Sequence, residues 1–151
     1  MMATTTVKWL LAGISLCVVF AAGPVASATE PGTGLAIKGY DAVAYFKLGK
    51  AVKGSESFSF PWHDMTWHFS SAEHRDLFAA DPEKYAPRYD GYCAWAMTES
   101  RLAITDPEVW KIVDGKLYLN CSQAAYEKWS RDIPGHIKKA DAIWKEKFGR
   151  K

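Results

Sequence analysis

Aromatic and apolar positions in the middle of the chain predict two short strands followed by a helix. Residues 57–60 and 66–69 alternate aromatic with polar side chains, as strands with one buried face do, and residues 61–65 form the predicted turn between them. A helix is predicted to start at Ser70 and to end before Asp81, because the proline after Asp81 disfavours helical backbone in that residue. The pattern therefore indicates a β-hairpin followed by a helix.

The same order returns later in the chain. Residues 109–113 and 116–119 flank Asp114-Gly115, a dipeptide typical of tight two-residue hairpin turns. Asn120 can then cap a helix that extends to about Arg131. This segment also predicts a hairpin followed by a helix.

The two segments together predict an α+β fold. We expect a small single domain with two β-hairpin-plus-helix units and a C-terminal helix, predicted over residues 136–147 from its apolar face. Residues 69–71 align with residues 119–121, which suggests an internal duplication. Independent use of one common supersecondary motif is the alternative explanation.

Residues 1–28 have the features of a secretory signal peptide. Lys8 precedes an uncharged apolar run over residues 9–22, and Ala26-Ser27-Ala28 supplies a cleavage site with small residues. An uncleaved anchor is the alternative, but the run is shorter than the roughly 20 residues of a membrane-spanning helix. We therefore expect an exported, periplasmic protein with no stable membrane anchor after cleavage.

Signal cleavage changes the cysteine count and the net charge of the predicted mature chain. The 151-residue chain has three cysteines and a net charge of +2, and cleavage removes Lys8 and Cys17, which leaves two cysteines and a charge of +1. So small a charge argues against a nucleic-acid-binding protein, and it points to no particular protein partner. Residues 29–34 are then a flexible lead-in, residues 35–147 the folded domain and residues 148–151 a basic tail.

Five stretches of the chain carry a family resemblance. They are residues 39–46, 66–78, 81–85, 91–96 and 114–120, and they include Thr66-Trp67-His68-Phe69-Ser70 and Gly91-Tyr92-Cys93-Ala94-Trp95. Together these stretches resemble the YHS domain, and in particular its exported branch, the YHS domain-containing proteins. The resemblance implies a small binding module of a kind found in heavy-metal-handling proteins, in a branch with no settled biochemical activity.

The chain departs from this family at the cysteines of metal-associated YHS domains. Ala44, Ser70 and His74 occupy the positions of those cysteines. Of the three, only His74 can donate to a metal. The thiolate site that the resemblance implies is therefore absent.

Other soft and borderline donors support a first functional hypothesis. His63, His68 and His74 lie close together in the sequence, and Cys93 and Met97 add sulfur donors. Such a set suits copper, particularly Cu(I), or another soft metal. The hypothesis is an exported YHS-type binding domain with a soft-metal site, and a surface or hydrogen-bonded core role is the alternative for each histidine.

Cys93 and Cys121 support a second hypothesis, a thiol redox protein. An oxidising compartment favours a disulfide between two cysteines, and Cys121 is predicted in the first turn of a helix, where the helix dipole stabilises a thiolate. Burial of Cys93 as a small hydrophobic residue is the alternative. A third hypothesis is a structural or small-ligand-binding module without metal, in which aromatic side chains line an apolar pocket.

Common catalytic signatures are absent from the sequence. It contains no phosphate-binding glycine loop, no His-Glu-x-x-His, no Cys-x-x-Cys and no Gly-x-Ser-x-Gly motif. The aspartates, Asp41 among them, occur mostly beside turns and prolines, where capping explains them. We therefore expect a non-enzymatic protein and assign no catalytic residue.

Overall fold

The structure, a computed structural model, describes residues 34–148. The predicted signal peptide lies outside the described residues, as do most of the predicted lead-in and residues 149–151 of the predicted basic tail. The strands are β1 (Gly34–Leu35), β2 (Ser55–Trp62), β3 (Met65–Phe69), β4 (Asp106–Val113) and β5 (Lys116–Asn120). The helices are α1 (Ala44–Lys47), α2 (Ala72–Ala80), α3 (Pro82–Tyr85), α4 (Ala94–Thr98), α5 (Gln123–Ser130) and α6 (Ile133–Ile143).

These elements confirm the predicted α+β fold with two hairpin-plus-helix units. Strands β2 and β3 form an antiparallel hairpin, β1 adds to β3 in parallel, and β4 and β5 form a separate two-stranded sheet. Helix α2 follows the first hairpin and helix α5 follows the second. We call residues 36–85 the first unit and residues 88–143 the second unit.

The two hairpins share their turn geometry. β2 and β3 are joined by His63 and Asp64, and β4 and β5 by Asp114 and Gly115, and all four residues have positive φ angles. Each hairpin pairs an eight-residue strand with a five-residue strand and has its register shift at the start of the longer strand. The predicted turn over residues 61–65 was too wide, because its ends belong to the two strands.

The predicted helix starts are wrong in both units. The N-caps are Ser71 and Ser122, which have extended backbones and accept a hydrogen bond from the backbone N–H three residues further on. Ser70 and Asn120 therefore precede their caps. Cys121 also lies before its helix instead of in the first turn, so the predicted dipole stabilisation of its thiolate has no structural basis.

The repeated geometry extends through both units. Gly39 and Gly91 have φ angles of 77° and 82°, and each follows two residues with positive φ. Asp81 and Asp132 both cap the next helix, with φ and ψ of −153° and 75° in one and −152° and 73° in the other. The equivalent pairs are thus Gly39 and Gly91, Asp41 and Cys93, His63 and Asp114, Ser71 and Ser122, and Asp81 and Asp132. This correspondence supports the duplication, but it aligns Ser70 with Cys121, whereas the sequence comparison placed Ser70 opposite Asn120.

Aromatic residues form the core of each unit. Trp67 and Phe78 are buried in the first unit, and Tyr118 and Trp129 are buried in the second. The units join where Tyr45, which is almost wholly buried, packs with apolar residues of β5 and donates a hydrogen bond from its hydroxyl to a backbone carbonyl just inside β4, at 2.9 Å. The aromatic content of the chain therefore serves first as core.

The C-terminal helix starts earlier than predicted. Helix α6 begins at Ile133 instead of residue 136, because the Asp132 side chain accepts a hydrogen bond from the Gly135 N–H and caps it there. A π-helical turn over Trp144–Phe148 follows the helix. Over residues 34–148 the structure contains no helix with the length and apolar character needed to span a membrane.

Gly54 is expected to be intolerant of a side chain, because the chain there passes directly against β3. A Cβ at Gly54 would lie 2.5 Å from the backbone carbonyl carbon of His68, whereas a Cβ at Gly34 would meet no atom within 4 Å. We expect Gly54→Ala to lower the free energy of unfolding by about 3 kcal/mol, the cost of severe overpacking, and Gly34→Ala to leave it nearly unchanged. Chemical denaturation measures both, and equal midpoints for the two variants would contradict this packing.

Candidate functional site

A buried carboxylate organises the first unit. Asp41 is completely buried, and its Oδ1 accepts hydrogen bonds from the backbone N–H groups of Val43 at 2.9 Å and Ala44 at 3.1 Å. The residue follows the left-handed loop that ends at Gly39, and the loop turns its side chain back over the start of α1. Val43 is the N-cap residue of α1, and Asp41 supplies the carboxylate that accepts from the first N–H groups there, a role close to its interpretation as a capping residue.

The second oxygen of Asp41 reaches the other end of the unit. Oδ2 accepts hydrogen bonds from the Ser70 N–H at 2.8 Å, the Ser70 hydroxyl at 2.6 Å and His74 Nδ1 at 2.6 Å. A buried carboxylate needs such donors, because an ionised group without partners is very costly to bury. We call Asp41, Ser70 and His74 the first anchor, because they tie the start of α1 to the start of α2.

The first anchor does not have the arrangement of a catalytic triad. In a triad the histidine lies between the carboxylate and the hydroxyl and uses a different ring nitrogen for each. Here the Ser70 hydroxyl lies 3.4 Å from His74 Nδ1, the same nitrogen that bonds Asp41. The imidazole therefore cannot relay a proton between the other two groups, and the cluster holds structure.

The first anchor brings together Ala44, Ser70 and His74, the three positions at which the sequence resemblance led us to expect cysteines. Ala44, Ser70 and His74 all donate hydrogen bonds to Asp41. Donation by Nδ1 to a carboxylate is the usual state of a metal-binding histidine, but a metal also needs further ligands. The three positions thus meet at one point, as a hydrogen-bonded cluster around a carboxylate.

A pair of cysteines takes the equivalent place in the second unit. Cys93 is completely buried, and its Sγ accepts a hydrogen bond from the Cys121 N–H at 3.1 Å. The Cys93 thiol faces Asn120 Oδ1 at 3.8 Å, and this oxygen also accepts from the Trp95 N–H at 3.2 Å. We call Cys93, Asn120 and Cys121 the second anchor, because they tie the start of α4 to the segment before α5.

Both cysteines of the second anchor are free thiols. Burial raises the pKa of Cys93, and the neighbouring Cys121 thiol raises it further, while backbone N–H groups partly oppose the shift. Asn120 is fully buried, and its Nδ2 has no hydrogen-bond partner among the residues that the structure describes. Cys93 is therefore a neutral buried thiol, and Cys121, which is half-buried, is the more accessible of the two.

The residues proposed as copper ligands lie in different surroundings. Met97 is fully buried in the aromatic core of the second unit, while His63 stacks on Trp62 with ring centres 3.6 Å apart. His68 is half-buried on β3, His74 is held in the first anchor and Cys93 in the second. Within residues 34–148 no three His, Cys, Asp or Glu side chains converge in a way that could hold a metal.

An open cavity lies between the two units. It has a volume of about 270 Å³ and is lined on one side by the first unit's left-handed loop and hairpin turn, and on the other by the second unit's left-handed loop and the segment before β4. The lining residues are Leu35, Ile37, Lys38, His63, Asp64, Met65, Asp90, Gly91, Tyr92, Ile104 and Thr105. We call this cavity the inter-unit cleft.

A second concavity of about 820 Å³ borders the inter-unit cleft and runs along the first hairpin. The two share Leu35, His63, Asp64 and Met65. The larger one is a shallow groove, open to solvent over most of its length, so it would leave a small molecule largely exposed. The inter-unit cleft is smaller but better enclosed, and enclosure matters more than volume for binding a small molecule.

No family model, curated protein or solved structure matches this chain. Sequence reasoning had singled out His63 but not the cleft around it, and it had interpreted Asp41 only as a cap or turn residue. The parallel between Gly39-Tyr40-Asp41 and Gly91-Tyr92-Cys93 was the signal that could have marked Asp41 and Cys93 as equivalent positions.

Removal of the Asp41 carboxylate is expected to destabilise the whole domain. Asp41→Ala leaves the half-buried Ser70 and the buried His74 donors without their acceptor, and we expect a loss of about 3–5 kcal/mol in the free energy of unfolding. The matched control is Asp76→Ala, because Asp76 is exposed and, among residues 34–148, its side chain pairs only with its neighbour Arg75, so its loss should cost no more than about 0.5 kcal/mol. Urea denaturation followed by tryptophan fluorescence measures both, and a small loss in Asp41→Ala would contradict the role of the first anchor.

Proposed function

We propose that this chain is an exported, non-enzymatic binding domain of the YHS type that holds a small amphipathic molecule in the inter-unit cleft. The observation that carries the proposal is the cleft itself, a partly enclosed space of about 270 Å³ to which both units contribute. The proposed export rests on the signal-peptide pattern of residues 1–28, and the YHS type on the motifs at residues 39–46, 66–78 and 91–96.

The lining of the inter-unit cleft defines the ligand's chemistry. Apolar surface comes from Leu35, Ile37, Met65 and Ile104, and polar and charged groups stand beside it. Pockets with a mainly apolar wall and a few polar groups are typical of small-molecule sites. The volume lies near the lower end of the range for such sites, so a compact ligand with an apolar body and one polar end fits best.

The walls of the cleft are held in place before any ligand arrives. The buried Thr105 hydroxyl donates a hydrogen bond to the Gly91 carbonyl at 2.8 Å, which fixes the second unit's loop. Gly91 has a φ of 82°, and a Cβ there would lie 3.0 Å from Ile37 Cγ2 across the cleft. Preformed walls favour binding, because little conformational entropy is lost when the ligand enters.

A neutral fluorescent probe tests the cleft directly. We expect N-phenyl-1-naphthylamine to bind saturably with a rise in fluorescence, and Ile104→Arg to weaken this binding at least tenfold, which corresponds to about 1.4 kcal/mol, because a charge would replace apolar lining. Leu102→Arg is the matched control, since Leu102 is an exposed apolar residue two positions away that does not line the cleft.

The comparison of the two arginine variants decides the outcome. Unchanged binding in Leu102→Arg together with weakened binding in Ile104→Arg supports the proposal. Absence of saturable binding to the unmodified chain, or an equal loss in both variants, contradicts it.

Copper is the second candidate ligand, because His63 and Met65 line the same cleft and are donors that suit Cu(I). A Cys121→Ser background removes the accessible thiol that would bind Cu(I) on its own. In that background we expect no stoichiometric copper to remain after loading under reducing conditions and desalting, measured by elemental analysis, because no three His, Cys, Asp or Glu side chains converge in the described part of the chain. One retained equivalent that His63→Ala abolishes would replace the small-molecule proposal with the metal proposal.

A further inference from the structure

The second anchor repeats the first anchor with different chemistry. In the first, the Ser70 N–H donates to Asp41 Oδ2 at 2.8 Å, and in the second, the Cys121 N–H donates to Cys93 Sγ at 3.1 Å. Asp41 and Cys93 each follow the glycine of a left-handed loop, and Ser70 and Cys121 each precede a serine cap. Two thiols therefore occupy the place where the first unit has a hydrogen-bonded carboxylate.

The backbone brings the two thiols within bonding reach. The amide nitrogen that contacts Cys93 Sγ belongs to Cys121 itself, so it is one bond from the Cα of Cys121, while Sγ is two bonds from the Cα of Cys93. This contact keeps the two Cα atoms near the limit of about 7 Å within which a disulfide can close. The side chains also interact with each other and pack in one apolar cluster with Ala96 and Ala125.

The two thiols differ in their access to solvent. Cys93 is completely buried, so an external reagent cannot reach it in the folded chain, whereas Cys121 is half-buried at the edge of the cluster. An external disulfide therefore meets Cys121 first. Cys93 can act only on a sulfur already attached to its neighbour.

We propose that Cys93 and Cys121 form a reversible disulfide by exchange with a small-molecule or protein disulfide, a role separate from ligand binding in the cleft. The Cys121 thiolate attacks one sulfur of the external disulfide and releases a thiolate, which leaves a mixed disulfide on Cys121. The Cys93 thiol then loses its proton and attacks Cys121 Sγ, the Cys93–Cys121 bond forms and the second external thiolate leaves. Two protein thiols are oxidised, one external disulfide is reduced to two thiols, and the two protons pass through solvent to the released thiolates.

The disulfide would join the same two segments that the second anchor now holds by hydrogen bonds. These are the start of α4 and the residues before α5. Oxidation thus replaces a weak sulfur acceptor with a covalent bond and leaves the first anchor unchanged. The fold of the second unit then depends on the redox state of its surroundings, and the fold of the first unit does not.

Oxidised glutathione at mildly alkaline pH tests the proposal on the folded chain. A Cys17→Ser background leaves Cys93 and Cys121 as the only thiols. We expect the monomer to lose both titratable thiols and the mass of two hydrogen atoms, without a retained glutathione, and dithiothreitol to reverse both changes. Oxidation should also raise the thermal midpoint of the monomer.

Single substitutions separate the steps of the exchange. Cys93→Ser should accumulate one glutathione on Cys121, while Cys121→Ser should keep a free, unreactive Cys93 until the chain is unfolded. Circular dichroism verifies folding of each variant, and Cys93→Ala replaces Cys93→Ser if the hydroxyl is not tolerated. The proposal is overturned if the unsubstituted pair keeps both thiols, retains a stable glutathione adduct, or forms only disulfide-linked dimers.

Discussion

Burial of the Asp41 carboxylate is the constraint on which the first unit depends. The group is completely enclosed, so it is stable only where several donors reach it, and the chain supplies them from Ser70 and His74, 29 and 33 residues away. The first hairpin lies between Asp41 and Ser70 in the sequence, so the hydrogen bonds of Asp41 to Ser70 and His74 fix the two ends of the segment that contains it. The hairpin carries His63 in its turn and Met65 at the start of β3, and both line the inter-unit cleft, so the position of one cleft wall follows from the carboxylate.

The second unit also connects two distant segments through a buried group, but its thiols have a lower desolvation cost than a carboxylate. A neutral thiol loses far less hydration than a carboxylate, so Cys93 can be enclosed with fewer donors than Asp41 receives. The two units therefore differ in chemistry at their anchors, while their hairpin turns, helix caps and left-handed loops have similar geometry. This difference gives the second unit an oxidisable contact at the place where the first has one that cannot be oxidised.

Local signals in the sequence predicted the order of elements but not their exact ends or their long-range contacts. Asp114-Gly115 was predicted as a two-residue turn because glycine readily adopts the positive φ that such a turn requires. His63 and Asp64 adopt the same geometry although neither is a glycine. Asp41 was identified as a cap because its bonds to the next residues are local. Its contacts with Ser70 and His74 could not be predicted, because they are long-range and neither hydrophobic periodicity nor residue propensity encodes a pairing between residues so far apart.

The cleft and the thiol pair share a physical support. Cys93 lies two residues after Gly91, which lines the cleft. The Cys93 N–H donates a hydrogen bond to the Ala103 carbonyl, and the chain continues from Ala103 to Ile104 and Thr105, which also line the cleft. Both segments of the second unit's cleft wall therefore converge on the backbone of Cys93. Neither unit alone forms the cleft, so the cavity exists only where the two units meet, and the second anchor places an oxidisable pair of thiols beside it.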